Sequence, residues 1–280
     1  MLVTLKEILE PAQHGGYAVG AFDLVSLETG KALLDAAEFL SSPIILMIGE
    51  EAGSLLPYYL WMPALLWMAQ ASVVPVSISL DHGTSLNAVK SAIDAGVTGV
   101  MFDGSSLPWD ENVRLTREVV SLAHASGVSV EAEVGHVGEA KADESASALT
   151  DPDEAAEFVR ATGVDALAVA IGSAHGHYRQ TPQLDLARLE AIRARVRVPL
   201  VLHGGSGIPA ESLQRSVELG ICKVNVYTDL VTSAARALRQ SLDRGEDIVD
   251  WLRAINAGFT QATASYLEIL GSRGRAREWS

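Results

Sequence analysis

The chain has 280 residues, with 21 Lys and Arg against 35 Asp and Glu, for a formal net charge of −14. So acidic a chain is unsuited to a nucleic-acid groove or an anionic membrane surface, although a nest of backbone N–H groups can still hold a phosphate inside it. Its single cysteine, Cys222, excludes internal disulfides and fits a reducing compartment, so a cytoplasmic location is expected.

Met1–Pro11 carries Lys6, Glu7 and Glu10, and lacks the basic and apolar regions of a signal peptide. Short apolar runs then recur in order: Ala18–Phe22, Ile44–Ile48, Val76–Leu80, Gly99–Phe102, Ser129–Ala132, Ala166–Ala170, Leu200–Leu202 and Val224–Val226. Between them lie amphipathic stretches, among them Glu28–Phe39, Leu86–Ala95, Glu111–Ala125, Asp153–Thr162, Leu186–Arg195 and Glu211–Leu219. Strands alternating with helices of this length predict a parallel sheet with right-handed crossovers. Eight such units close most naturally as an α/β (β/α)8 TIM barrel. No linker or repeat divides the chain, so one domain over residues 1–280 is expected. A doubly wound open sheet would place a glycine-rich loop after its first strand. Here Asp23-Leu24-Val25-Ser26 follows instead.

Ala52 to Leu80 contains no charged residue, a length that could span a bilayer. Pro57, Pro63 and Pro75 interrupt it, and it ends in a strand, which favours a buried or interface-covering helix. Tyr58, Tyr59, Trp61, Leu65, Trp67 and Met68 fall there without a charged stripe, predicting a homo-oligomer interface within residues 55–68.

Barrel active sites sit at the C-terminal ends of the strands. Asp81 and His82 follow run three, Asp103 follows run four, and Glu131 and Glu133 close run five. His175 follows run six, His203 ends run seven, and Asn225 lies on run eight. Three of the seven histidines thus converge on one mouth, the usual composition of a catalytic zinc site. His14, His124, His136 and His177 lack that placement and are read as solvated or structural. His203-Gly204-Gly205-Ser206-Gly207 and Asn225–Thr228 occupy the common phosphate position of barrels.

At these residues the sequence resembles the class II, metal-dependent fructose- and tagatose-bisphosphate aldolases, closest to the tagatose-bisphosphate type. The motifs are Leu80-Asp81-His82-Gly83, Gly172-Ser173-Ala174-His175-Gly176, Leu202-His203-Gly204-Gly205-Ser206-Gly207 and Lys223-Val224-Asn225-Val226. The resemblance implies a lyase of carbohydrate metabolism that cleaves a phosphorylated ketose to dihydroxyacetone phosphate and an aldehyde through a zinc-stabilised enediolate. It implies that His82, His175 and His203 bind zinc and that Asp81 is the acid/base. It implies that Gly176, Gly204, Gly205, Ser206, Asn225 and Thr228 hold the phosphorylated product, with Asp103 and Glu133 supporting the ligands from behind. A monovalent cation, Na+ or K+, would lie on backbone oxygens near Ala174, Gly176 and Gly204, and the family forms dimers and tetramers. A Schiff-base route is disfavoured, because none of the five lysines follows a strand at the mouth and Lys223 begins the last run.

The loop after run five departs from the family's Gly-Gly-x-Glu-Asp pattern, reading Gly138-Glu139-Ala140-Lys141-Ala142-Asp143-Glu144. Aligned with a gap, Glu139 serves as the carbon-proton residue; without one, Lys141 takes its place. Asp23 stands where asparagine is common, and Gly49-Glu50-Glu51 replaces Ser-Glu-Gly. These departures suggest a changed carbonyl substrate. The competing readings are a lyase or epimerase on another phosphosugar or sugar acid, and a catalytically silent metal- and phosphosugar-binding homologue.

Overall fold

The computed structural model describes residues 1–49, 57–140 and 148–279. Its eight strands are β1 (Val19–Asp23), β2 (Ile44–Gly49), β3 (Val76–Gly83), β4 (Gly99–Phe102), β5 (Ser129–Val134), β6 (Ala166–Val169), β7 (Leu200–Leu202) and β8 (Ile221–Val226). All pair in parallel in chain order, and β8 pairs back with β1, closing the expected barrel. The strands are buried along nearly their whole length, because helices cover one face and packed side chains fill the other.

The helices are α1 (Leu5–Gly15), α2 (Leu27–Leu40), α3 (Tyr58–Ala71), α4 (Leu86–Ala95), α5 (Trp109–Ala125), α6 (Pro152–Thr162), α7 (Leu186–Arg195), α8 (Ala210–Glu218), α9 (Thr228–Asp243) and α10 (Ile248–Ile269). Their starts follow local chemistry. Ser26, Ser85, Asp151 and Asp185 each accept a first-turn backbone N–H, and Gly16, Gly96 and Gly163 end helices in the left-handed conformation.

Apolar filling is uneven along the barrel axis, and this positions the site. Helix α1 lies under the barrel, where Leu5, Ile8, Leu9 and Ala12 are fully buried against Val19, Ala21, Ile45, Met47, Ala166, Ala168 and Val201. Each Leu or Ile so buried is worth about 1.5–3 kcal/mol. Toward the opposite end the interior turns polar, with Glu131, Glu133, His203, Lys223 and Asn225 all buried.

Three sequence expectations are corrected. Strand β3 runs on through Asp81 and His82 to Gly83, because His82 adopts a left-handed backbone (φ 45°) that shifts the pairing with β4. Strand β8 begins at Ile221, so Lys223 is an interior residue. Within α3, Trp61 and Leu65 pack into the chain's own core, leaving Tyr59 (74 %), Leu60 and Trp67 (69 %) exposed. Among the described residues no helix is long and apolar enough to cross a membrane. Glu50, Glu51 and Lys141 lie outside the described residues.

Candidate active site and metal centre

His82, His175 and His203 are brought together from β3, the loop after β6, and the end of β7. One ring nitrogen of each lies within 4.8 Å of the others. The rings pack edge to face, with centroids 4.8 and 4.9 Å apart around His82. A left-handed backbone is uncommon outside glycine and costs energy, and at His82 it accompanies the turn that brings this ring into the site.

Carboxylates fix the ring orientations from behind. His82 Nδ1 donates to Asp103 Oδ2 at 2.8 Å, and Asp103 Oδ1 accepts from the Ser105 N–H and hydroxyl. His203 Nε2 donates to Glu131 Oε1 at 2.9 Å, and the other oxygen of Glu131 accepts from Lys223 Nζ at 2.7 Å. These bonds leave His82 Nε2 and His203 Nδ1 facing each other at 3.0 Å. Either a ring proton on one of them or a bound cation must lie between two nitrogens so placed. His175 Nε2 is buried with no hydrogen-bond partner. Two imidazole nitrogens on one tetrahedral zinc lie about 3.3 Å apart, so the donor set fits a divalent ion.

Charge follows the same architecture. Burial lowers the His82 imidazole, but Asp81 and the bonded Asp103 outweigh it and carry it up to about 10. Burial, with the other two imidazoles, brings His175 down to about 4, and burial also lowers His203. Glu131 would be raised by burial, yet Lys223 and His203 bring it down to about 2. Burial and Asp103 push Glu133 up to about 8; its Oε1 accepts the Val137 N–H, while Oε2 is buried without a partner. With His82 and Asp103, Glu133 forms a second cluster of convergent ligand atoms.

A cleft of about 490 Å³ opens beside the imidazoles. The sequence candidates Asp81, His82, Asp103, Glu139, His175, Gly176, Gly204, Ser206, Asn225 and Thr228 all line it. Asp81 Oδ1 accepts from Asn225 Nδ2 at 3.0 Å, which ties the end of β3 to β8. Glu139 pairs alongside His175: the His175 N–H donates to Gly138 O and the Ala140 N–H to His175 O, holding its carboxylate at the rim. The N–H groups of Gly176, Gly204 and Ser206 have no hydrogen-bond partner among the described residues. They lie beside the start of α9, where the Asp229 N–H donates to Ser206 Oγ. A side chain at Gly204 would meet Ala174 O at 2.3 Å, so only glycine lets the two backbones pass.

Three placements differ from the sequence reading. Gly205 lies outside the cleft lining, its N–H donating to Asn225 O, with Val224 2.4 Å from where a Cβ would stand. His136 lines the cleft and hydrogen-bonds Ser105 through Nδ1. Sequence spacing missed it, because it sits two residues beyond the end of β5 rather than on a strand. Lys223, read as starting a strand, is 1 % exposed and paired with Glu131 beneath the imidazoles.

Comparison with known proteins places the whole chain. A family model described as "Fructose-bisphosphate aldolase class-II" matches residues 3–275. The chain is 42 % identical over 285 residues to a fructose-bisphosphate aldolase of Geobacillus stearothermophilus, covering 99 % of both chains. A Staphylococcus epidermidis protein of the same name is 39 % identical, again over 99 % of each. The crystal structure of the YdjI aldolase from Escherichia coli K12 superposes with a TM-score of 0.91 at 34 % identity, over 99 % of this chain and 100 % of that one. Barrel, convergent imidazoles and whole-length similarity lead to one conclusion: the chain belongs to the class-II fructose-bisphosphate aldolase family, the metal-dependent aldehyde-lyases.

Proposed function

We propose that this aldolase cleaves a phosphorylated ketose to dihydroxyacetone phosphate and an aldehyde using His82, His175 and His203 to hold one zinc ion and Asp81 as the acid/base. The observation that carries the reading is the convergence of three imidazoles beside a half-buried aspartate at one mouth. Bound there, zinc would supply a positive centre that offsets negative charge developing on the carbonyl oxygen as the carbon–carbon bond breaks.

The rest of the reaction falls to the protein's own groups. Asp81 stands within the cleft, steadied by Asn225 Nδ2, and takes the proton of the hydroxyl whose carbon becomes the aldehyde. Asn225, 7 % exposed, keeps a buried Oδ1 without a partner, an acceptor for a substrate hydroxyl. Gly176, Gly204 and Ser206 present backbone N–H groups to the phosphate, with Thr228 at the start of α9, where the helix dipole favours an anion. Gly205 serves the close packing behind them. Glu139, whose carboxylate rims the cleft, moves the proton on the product carbon. Asp103 and Glu133 orient and charge-balance the ligand set.

The backbone oxygens of Ala174, Gly176 and Gly204 would hold a monovalent cation, with Tyr178 donating its hydroxyl to Gly204 O. The enzyme works in the cytoplasm as a homo-oligomer, and its leaning toward the tagatose-bisphosphate type rests on the motifs alone. The test is to incubate purified protein, with and without zinc and chelator, with matched ketose mono- and bisphosphates and follow triose phosphate. Metal-dependent release is expected. Release that persists after complete metal removal would refute the zinc route, and bound zinc with no turnover on any ketose phosphate would favour a silent binding protein.

A further inference from the structure

The cleft has two electrostatically unlike arcs. The arc from β6 to β8 carries the unpartnered N–H groups of Gly176, Gly204 and Ser206. Next to it lies an adjoining hollow that shares Gly176, Ser206 and Thr228 and contains Arg179. The arc from β1 to the loop after β5 carries Asp23, Asp81, Asp103 and Glu139. Among the described residues no Lys or Arg lines the main cleft.

One phosphate of a ketose is served by the first arc. A second phosphate, at the far end of the sugar chain, would have to lie on the acidic arc. Asp23 belongs to that arc. It closes β1 and points into the cleft close enough to Asp81 and His82 to interact with both. A phosphate dianion there would meet a buried carboxyl group, with no Lys or Arg beside it in the cleft lining among the described residues. A hydroxyl suits both forms, donating to the carboxylate or accepting from the acid.

We propose that the aldehyde half of the substrate carries hydroxyls and no phosphate, and that Asp23 is the residue that selects for it. The inference rests on the aldolase reading above and narrows it to ketose 1-phosphates. The carbon–carbon bond between C3 and C4 breaks and the C4 hydroxyl proton passes to Asp81. The bonding pair stays on C3, which takes up a proton, giving dihydroxyacetone phosphate and an unphosphorylated aldehyde.

The experiment compares kcat/KM of the zinc-loaded protein on matched pairs: fructose 1-phosphate against fructose 1,6-bisphosphate, and the tagatose pair likewise. At least tenfold preference for the monophosphate is expected in one pair. Asp23→Asn, with Asp23→Ser as a second variant should the first fail to fold, should shrink that preference at least fivefold, mainly through a lower KM for the bisphosphate. Equal or greater activity on the bisphosphates would overturn the proposal while leaving the aldolase reading intact. So would a preference unmoved in both variants, or bisphosphate cleavage lost selectively in Lys141→Ala. Failure to cleave any member of either pair would overturn both readings.

Discussion

Replacing Lys223 by Met tests whether the buried ion pair under the imidazoles supports both the fold and the metal centre. Lys223 and Glu131 are 1 % and 0 % exposed and meet at 2.7 Å, with His203 on the carboxylate's other oxygen. Burial alone would raise Glu131; Lys223 is the largest influence opposing it, and the net result is a displacement from 4.5 to about 2. That displacement corresponds to about 3 kcal/mol at pH 7. Because the folded-state value is depressed, this stability is present above pH 4.5 and is lost as pH falls toward 2. Methionine matches the lysine stem but removes the only cation beside the buried Glu131 carboxylate among the described residues, leaving it the His203 ring N–H alone, a change that typically costs about 3–5 kcal/mol.

Lys223→Met should therefore lower stability by about 3–5 kcal/mol in urea or thermal unfolding of the metal-free protein. Without that cation Glu131 would take up a proton more readily, and His203 would lose its fixed ring orientation. A loss of this kind usually weakens metal affinity by about 10–100-fold, read by chelator competition. Adding Glu131→Gln should recover most of the stability, since the amide oxygen still accepts from His203 and no charge remains buried. A single variant that loses less than about 1 kcal/mol, or a double variant no more stable than the single, would refute the reasoning.

Asp81→Ala should keep its zinc by elemental analysis while losing cleavage by about 10²–10⁴-fold; near-normal turnover would remove Asp81 from the acid/base role. Zinc must displace the proton that His82 holds up to about pH 10, so binding near pH 7.5 should release a proton and tighten as pH rises. The same raised value stabilises the metal-free fold below pH 6.5 and is lost as pH approaches 10, while His175, lowered to about 4, contributes above 6.5 and loses its share toward 4. Indicator-dye titration that finds no proton release would contradict this. Tyr59→Glu with Trp67→Glu should reduce the oligomeric mass by light scattering, because these side chains are exposed on α3, whereas Trp61 is spent in the core. An unchanged mass would exclude that surface.

Much of the barrel was legible because its signals are local. The runs Gly99–Phe102 and Leu200–Leu202 match their strands end to end, since a strand buried on both faces reads as an uninterrupted apolar segment. The convergence of His82, His175 and His203 was legible for a topological reason: in a parallel barrel the end of every strand points to the same mouth. Helix α1 was missed, although Leu5, Ile8, Leu9 and Ala12 fall on one helical face. Lys223 was misread because a lysine early in an apolar run looks like a strand boundary; only the burial of Glu131 opposite it makes an interior lysine stable.

The residues that the family resemblance singled out as unusual share a location. Asp23 ends β1, Gly49 ends β2, and Glu139 follows β5, whereas the ligands' supports, Asp103, Glu131 and Lys223, keep a closed set of hydrogen bonds. The division follows from what each part must tolerate. A metal centre whose rings are fixed from behind cannot absorb a change of charge without losing orientation and affinity together. In the mechanism proposed above, the rim facing the aldehyde carries no such constraint: a carboxylate there would alter which substrate end is welcome and leave bond cleavage to the imidazoles and Asp81. Substitutions at Asp23 and Glu139 should therefore move substrate preference or turnover at constant zinc content, and those at Asp103, Glu131 or Lys223 should move zinc content first.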